Sequence, residues 1–253
     1  MIRQLVKNLI HRIGYRAFRR DSFDKKFVAF SRWGVKPGPF LRHFIKTDEI
    51  AICFDAGANI GQTAKLFSAL FPAATIYSFE PVSTAYAKLV AETARIERVI
   101  PMKIALGDCE GKSEMFVNDD AETNSLVSAS ASDGSTLTET VRITTIDQVM
   151  ADRGVERIHL LKTDTEGYDL KVLAGAENAF RNESVDLVYC EVGFNEADRG
   201  HTFFYKVLEY LQGRGFHFAG LFESAFFNRP PQILYANALF VHRNSQLTID
   251  WED

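Results

Sequence analysis

Cysteine is scarce in this sequence of 253 residues: Cys53, Cys109 and Cys190 are odd in number and more than fifty residues apart. They offer neither a disulfide framework nor a metal-ligand spacing. Cys53 and Cys190 sit inside apolar, strand-like runs, where buried free thiols are common. A signal-peptide pattern is also missing, and together these absences predict the reducing cytoplasm. Long hydrophobic runs are lacking as well. No apolar stretch approaches the roughly 20 residues of a membrane span, and no internal repeat is present. The apolar content of 46% with 25% charged residues excludes wholesale disorder. The length suits one large α/β domain or two small ones.

The front of the chain carries bases without acids. The first 20 residues hold Arg3, Lys7, Arg12, Arg16, Arg19 and Arg20 and no acid, so the net charge of −4 divides into +6 there and −10 elsewhere. So acidic a body makes nucleic acid a poor partner, because phosphate binding needs a basic surface. Ile2, Leu5, Val6, Leu9, Ile10 and Ile13 recur at three- and four-residue spacing, which predicts an amphipathic helix over 2–20. Such helices more often dock on their own protein. The alternative is peripheral contact of residues 1–20 with an anionic membrane at its inner face. Residues 34–39, Gly-Val-Lys-Pro-Gly-Pro, read as a break. The expected organisation is a basic helix and lead-in over 1–49, a main domain over 50–243 and a tail over 244–253.

From residue 50 the pattern becomes regular. Short β-rich runs occur at 50–54, 75–79, 99–105, 158–162 and 185–190, separated mostly by helical stretches at 61–71, 83–95, 145–153, 167–181 and 202–213. Alternating strands and helices predict an α/β fold: a doubly wound, Rossmann-like, mostly parallel sheet. Runs at 215–222 and 234–242 predict a closing hairpin at one sheet edge. Between 112 and 145, two strand-like pieces flank a Ser-rich stretch (124–138), which reads as a hairpin or flap insertion.

A loop lacking two expected glycines is the sharpest local feature. Phe54-Asp55-Ala56-Gly57-Ala58-Asn59-Ile60-Gly61 leaves the first strand and enters a helix. A dinucleotide fingerprint beginning at Gly57 would need glycines where Asn59 and Gln62 stand. Asp55 at the strand tip would also repel a pyrophosphate. Both points disfavour a nicotinamide-dependent oxidoreductase. A nucleoside carrying a sulfonium and an ammonium but no phosphate suits that carboxylate, and S-adenosylmethionine fits the description. Glu80, nineteen residues after Gly61, is placed to accept from both ribose hydroxyls. After the third strand, Ala105 and Leu106 are expected to pack on the adenine and Asp108 to meet its amino group.

A second constellation follows the fourth strand: Lys162-Thr163-Asp164-Thr165-Glu166-Gly167-Tyr168-Asp169. Three acids lie within six residues at a strand's carboxyl end, where open α/β sheets hold ligands. Glu191, ending the fifth strand, adds another, with Asn195 and Glu196 just beyond. The acids either cap the next helix or serve as a general base or metal cage. Lys162 either pairs with one of them or reaches solvent.

These residues resemble the FkbM-type S-adenosylmethionine-dependent methyltransferases over roughly 50–242. The matching pieces are Phe54–Gly61, Phe79-Glu80-Pro81, Ala105-Leu106-Gly107-Asp108, Thr145-Ile146-Asp147 and Asn237-Ala238-Leu239-Phe240-Val241. The most particular is Lys162-Thr163-Asp164-Thr165-Glu166-Gly167, continued by Val172-Leu173-Ala174-Gly175-Ala176. The resemblance implies a class I methyltransferase fold, seven-stranded with an antiparallel last strand. It also implies O-methylation of a hydroxyl on a sugar, a glycan or a natural product. A non-catalytic module binding S-adenosylmethionine is the alternative.

Methyl transfer needs the acceptor oxygen in line and its proton removed. Asp164 is the leading candidate base, followed by Glu166 and Glu191. His201 is a lesser one, against a plain surface histidine. Asp164 is also expected beside the cofactor, with Asp55, Gly57, Asn59, Gly61 and Glu80. A divalent metal held by Asp164, Glu191 and Asn195 is a second way to activate the hydroxyl. Phe203, Phe204, Phe226 and Phe227 could stack on an acceptor, although aromatic residues more often pack in a core.

Overall fold

Residues buried on both sides of a sheet must be apolar at every position, and the runs from residue 50 onward are of this kind. A computed structural model describes residues 36–117, 137–228 and 231–249. The predicted helix over 2–20 and most of the Ser-rich stretch lie outside the described residues.

In chain order the elements are α1 (Pro37–Phe44), β1 (Ile52–Ala56), α2 (Gln62–Leu70), β2 (Thr75–Phe79), α3 (Ser83–Thr93), β3 (Val99–Met102), β4 (Ala105–Leu106), β5 (Gly111–Val117) and β6 (Leu137–Thr144). They continue with α4 (Ile146–Arg153), β7 (Ile158–Thr163), α5 (Asp169–Ala174), α6 (Glu177–Arg181), β8 (Val185–Gly193), α7 (Phe204–Gln212), β9 (Phe216–Phe222), β10 (Phe226–Asn228), β11 (Pro231–Ile233) and β12 (Tyr235–His242).

Seven strands make one sheet in the order β3-β2-β1-β7-β8-β12-β9. The first five are parallel, and β12 runs antiparallel to both β8 and β9. The expected terminal hairpin therefore forms, but β12 slots between β8 and β9 and leaves β9 at the edge. Successive strand residues feed opposite cores, as the pleat requires. Phe54, Leu161, Val188 and Phe240 face one core, while Cys53, Leu160, Leu187 and Leu239 face the other.

The insertion is a hairpin of β5 and β6, with β4 added in parallel to β6. Its base is anchored: Met115 and Val141 pack with Val82, Ala85 and Ala105. Phe79 and Ala105, on β2 and β4, bring the insertion beside the carboxyl ends of the main sheet.

Three elements differ from expectation. The run at 99–105 is not one strand but two, β3 in the main sheet and β4 beside the insertion. Pro37-Gly38-Pro39, read as a break, instead starts α1. Proline suits a first helical turn because its missing N–H would have no partner there. Leu41 and Ile45 are buried with Phe71 and Leu247. Backbone bonds from Lys46 to Leu247 (2.7 Å) and from Ile249 to Phe44 (2.9 Å) tie this lead-in to the chain beyond β12. The single helix expected over 167–181 is two short ones, broken at Gly175–Ala176. Asp147 of α4 accepts from Asn178 N (2.8 Å) and Ala179 N (3.0 Å), supplying the anionic cap that starts α6. Among the described residues, no helix is long and apolar enough to cross a membrane.

Candidate active site

The loop after β1 turns on left-handed backbone. Gly57 has φ 76° and Asn59 φ 48°. A Cβ on Gly57 would lie 1.8 Å from the Asp164 carbonyl oxygen, so only glycine lets this loop pass the end of β7. Glu80, 6% exposed, braces the turn. Its two carboxyl oxygens accept from Asn59 N (3.0 Å) and Val82 N (2.9 Å). Burial nevertheless pushes its pKa up to about 7, against the pull of those two N–H donors.

Asp55 does not face the cavity, contrary to the sequence expectation. It is fully buried and opposite Lys162 in the β1–β7 register. Lys162 is 3% exposed rather than solvent-reaching. Its Nζ lies 3.4 Å from Asp55 Oδ1 and 3.2 Å from Asp164 Oδ2, and it donates to the Gly57 carbonyl at 3.2 Å. Burial works against the ammonium, but the carboxylates of Asp164 and Asp55 outweigh it and hold Lys162 protonated. The cation is thus internal. It neutralises Asp55 and pins the glycine loop from below.

The remaining acids gather on the other wall. Glu166 sits at φ 51°, a strained position for a side chain with a Cβ. Burial, then the carboxylates of Asp164 and Asp169, push its pKa up to about 8. The pKa of Glu191, near the end of β8, is displaced well upward by burial and then by the neighbouring Asp164 carboxylate. Asp169 is buried and structural, accepting from Thr165 N (3.2 Å) and from the Thr202 hydroxyl (2.9 Å). It ties the loop after β7 to the loop before α7.

That second loop delivers His201. Its Nδ1 is 2.8 Å from Asp198 Oδ2, and its Nε2 is 3.7 Å from Glu191 Oε2. The ring stacks flat on Tyr235, with centroids 4.7 Å apart and an 11° interplanar angle.

These groups line a cavity of 520 Å³ at the carboxyl ends of β1, β2, β7 and β8. Its lining includes Gly57, Asn59 and Glu80 with the apolar Phe79, Ala105, Leu106 and Met115, and also Lys162, Asp164, Glu166, Glu191 and His201 with Tyr168 and Tyr235. Four expected site residues are not in its lining. Asp55 is sealed beneath it, and Gly61 opens α2 against Leu89 and Thr93. Asp108 is exposed and pairs with Lys171 on the surface. Asn195 is exposed and accepts from Ala197 N at 3.0 Å, so it does not join Asp164 and Glu191. The expected metal cage is therefore not assembled. Among the described residues, no group of three or more His, Cys, Asp or Glu side chains is arranged to hold a metal ion.

Asp198, Tyr168, Tyr235 and Met115 were missed at the level of sequence. The three-residue spacing of Asp198 and His201 was the available signal, and Tyr168 lies inside the acidic run already singled out. Tyr235 and Met115 come from separate strands and carry no local signature. Phe204 packs on Phe194 and Phe218, which makes it part of the α7 packing.

Residues 55–218 match the Methyltransferase FkbM domain. The chain is similar to the 31-O-demethyl-FK506 methyltransferase FkbM of Streptomyces tacrolimicus, with 28% identity over 169 residues, covering 55% of this chain and 65% of that protein. It is also similar to the hexuronic acid methyltransferase AglP of Haloferax volcanii, with 26% identity over 156 residues, covering 60% of this chain and 61% of that protein. The chain thus spans less than two thirds of the length of either curated relative. Among solved structures, the fibrillarin of Aeropyrum pernix with natively bound S-adenosyl-L-methionine is 11% identical, covers 85% of this chain and 74% of that chain, and has a TM-score of 0.46.

Proposed function

The chain belongs to the FkbM methyltransferase domain family, and on that premise we propose that it is an S-adenosylmethionine-dependent O-methyltransferase whose acceptor is a hydroxyl of a sugar, a glycan or a natural product. The observation that carries this reading is a single 520 Å³ cavity whose lining joins the glycine loop after β1, Glu80 and apolar side chains to a group of acids and tyrosines.

The glycine loop, Glu80 and the apolar lining residues fit the cofactor. Glu80 holds a carboxyl at the tip of β2, suited to accept from two vicinal ribose hydroxyls. Leu106, Ala105, Met115 and Phe79 offer apolar surface for a purine. The cradle over Gly57 is space that any Cβ would fill. When bound, S-adenosylmethionine supplies an electrophilic methyl group on a good leaving group. The chain's own part is to hold and orient. Asp164 lines the same cavity and offers its side-chain carboxyl to a cationic ligand, with Lys162 Nζ 3.2 Å away.

The acids and tyrosines of the lining suit an uncharged, hydroxyl-rich acceptor. Glu166, Glu191, Tyr168 and Tyr235 supply hydrogen-bonding groups, and the tyrosine rings add flat apolar surface for a sugar or a macrocycle. Known acceptors of the two curated relatives, as their names state them, are an FK506 precursor and a hexuronic acid.

The test is incubation with radiolabelled S-adenosylmethionine and fractionated glycans, lipids and small metabolites. A labelled product that keeps its methyl through mild alkali, as a methyl ether does and a methyl ester does not, identifies the acceptor hydroxyl. Calorimetry run in parallel should show cofactor binding that Glu80→Ala weakens. Absence of cofactor binding would sink the assignment, and binding without transfer to any fraction would favour a non-catalytic module.

A further inference from the structure

We propose that His201 is the base that accepts the acceptor hydroxyl's proton at Nε2, and that Asp198 is the residue that positions it. This inference rests on the methyl-transfer function proposed above and assigns the proton a destination within it.

The turn Asp198-Arg199-Gly200-His201 commits both oxygens of one carboxylate. Asp198 Oδ1 accepts from Gly200 N at 2.9 Å, and Oδ2 lies 2.8 Å from His201 Nδ1. A carboxylate can only accept, so Nδ1 carries the ring proton. A neutral imidazole has one such proton, which leaves the lone pair on Nε2. Nε2 is the ring nitrogen on the Glu191 side, 3.7 Å from Oε2, which is beyond hydrogen-bond distance. Both residues line the cavity.

The ring has little freedom to present anything else. Tyr235 covers one face. Behind it, Gly193 makes the room: a Cβ there would lie 2.8 Å from His201 Cβ. Thr202, the next residue, is held through its hydroxyl by Asp169 and through its carbonyl by Gly193 N at 2.9 Å. The histidine is therefore anchored on both sides in sequence and on one face.

The carboxylates nearby are poorer bases in this geometry. Asp164 is engaged with Lys162 at 3.2 Å. Glu166 and Glu191 are biased toward their neutral, protonated forms, and a protonated carboxyl is a very weak base.

In the step, the acceptor O–H bond breaks and its proton goes to Nε2. The oxygen's electron pair forms the new bond to the methyl carbon, and the carbon–sulfur pair departs with the sulfur. One positive charge leaves the sulfonium and one arrives on the imidazolium, where Asp198 stabilises it. Glu191, beside the same oxygen, is placed to orient it.

Two measurements test this. The first needs no acceptor: two-bond ¹⁵N–¹H spectra of histidine-labelled protein read the tautomer of His201. The expected result is protonation at Nδ1 in the wild type and loss of that preference in Asp198→Asn. An Nε2-protonated neutral ring in the wild type would overturn the proposal. The second uses radiolabelled S-adenosylmethionine with the extract fraction that wild-type protein labels. His201→Ala should cut turnover by about 10²–10⁴-fold, keep the calorimetric cofactor Kd within twofold, and regain transfer when free imidazole is added. Asp198→Asn should lower kcat with little change in either KM. Equal labelling by wild type and His201→Ala overturns the base alone. No labelling by the wild type removes the methyl-transfer reading, and the base with it.

Discussion

Asp55 on β1 and Lys162 on β7 are partners across two adjacent parallel strands, and their side chains meet at 3.4 Å beneath the cavity floor. A carboxylate read from sequence as a ligand group is thus the counter-ion of a buried cation. Removing one partner strands the other in a low-dielectric interior, whereas removing both does not. Lys162→Met should therefore cost about 3–5 kcal/mol in urea unfolding. The double variant Asp55→Leu, Lys162→Met should cost clearly less. Additive losses in the cycle would show that the pair is not coupled.

Glu80 gives cofactor binding a pH dependence of known sign. Its pKa stands at about 7 in the free protein, raised by burial. Ribose hydroxyls donate to the ionised carboxylate, so binding favours the deprotonated form and releases a proton. Affinity for S-adenosylmethionine should therefore rise by about tenfold between pH 6 and pH 8. In Glu80→Gln the affinity should be lower and nearly flat across that range. A wild-type Kd that does not move with pH would remove Glu80 from the ribose site.

Gly57→Ala tests the cradle. The new methyl would stand 1.8 Å from the Asp164 carbonyl oxygen, in a backbone region that alanine disfavours by about 1–2 kcal/mol even without a clash. The loop must shift, and cofactor affinity should fall by more than tenfold on calorimetry. Binding equal to that of wild type would mean that the turn is not part of the site.

Leu247 tests whether the chain beyond β12 belongs to the core. It is 4% exposed and packs with Leu41 and Ile45. Leu247→Ala should lower unfolding stability by about 2–5 kcal/mol. A loss within about 0.5 kcal/mol, the range of ordinary surface changes, would make that contact incidental.

Periodicity made most of the sheet legible, because residues such as Leu160 and Leu161 must both be apolar to serve two cores. Composition misled at Pro37-Gly38-Pro39, since proline that breaks a helix from within can also open one. The single helix expected over 167–181 concealed a junction that only Asp147, from another element, explains. In the site, Gly57, Glu80 and the acidic run could be recognised because they are contiguous with strand ends. Asp55 and Asp108 could not be placed correctly: whether such a carboxylate faces a ligand or a lysine depends on a distant element, β7 bringing Lys162 to Asp55 and α5 bringing Lys171 to Asp108. The surroundings of His201 were illegible for a similar reason. Its partners Asp198, Glu191, Tyr235 and Gly193 come from three segments, and their convergence is a product of folding.

The placement of β12 also orders events in time. The chain makes β9 before β12, yet among the described residues β9 has no neighbour in the main sheet other than β12. Until Tyr235–His242 emerges, β8 presents an open edge and β9 cannot join the sheet. Nascent protein that has completed the FkbM-matching region, which ends at residue 218, still lacks the wedge that joins its last two strands. Ribosome-stalled chains should accordingly become protease-resistant only after β12 has cleared the exit tunnel, in a late and abrupt step.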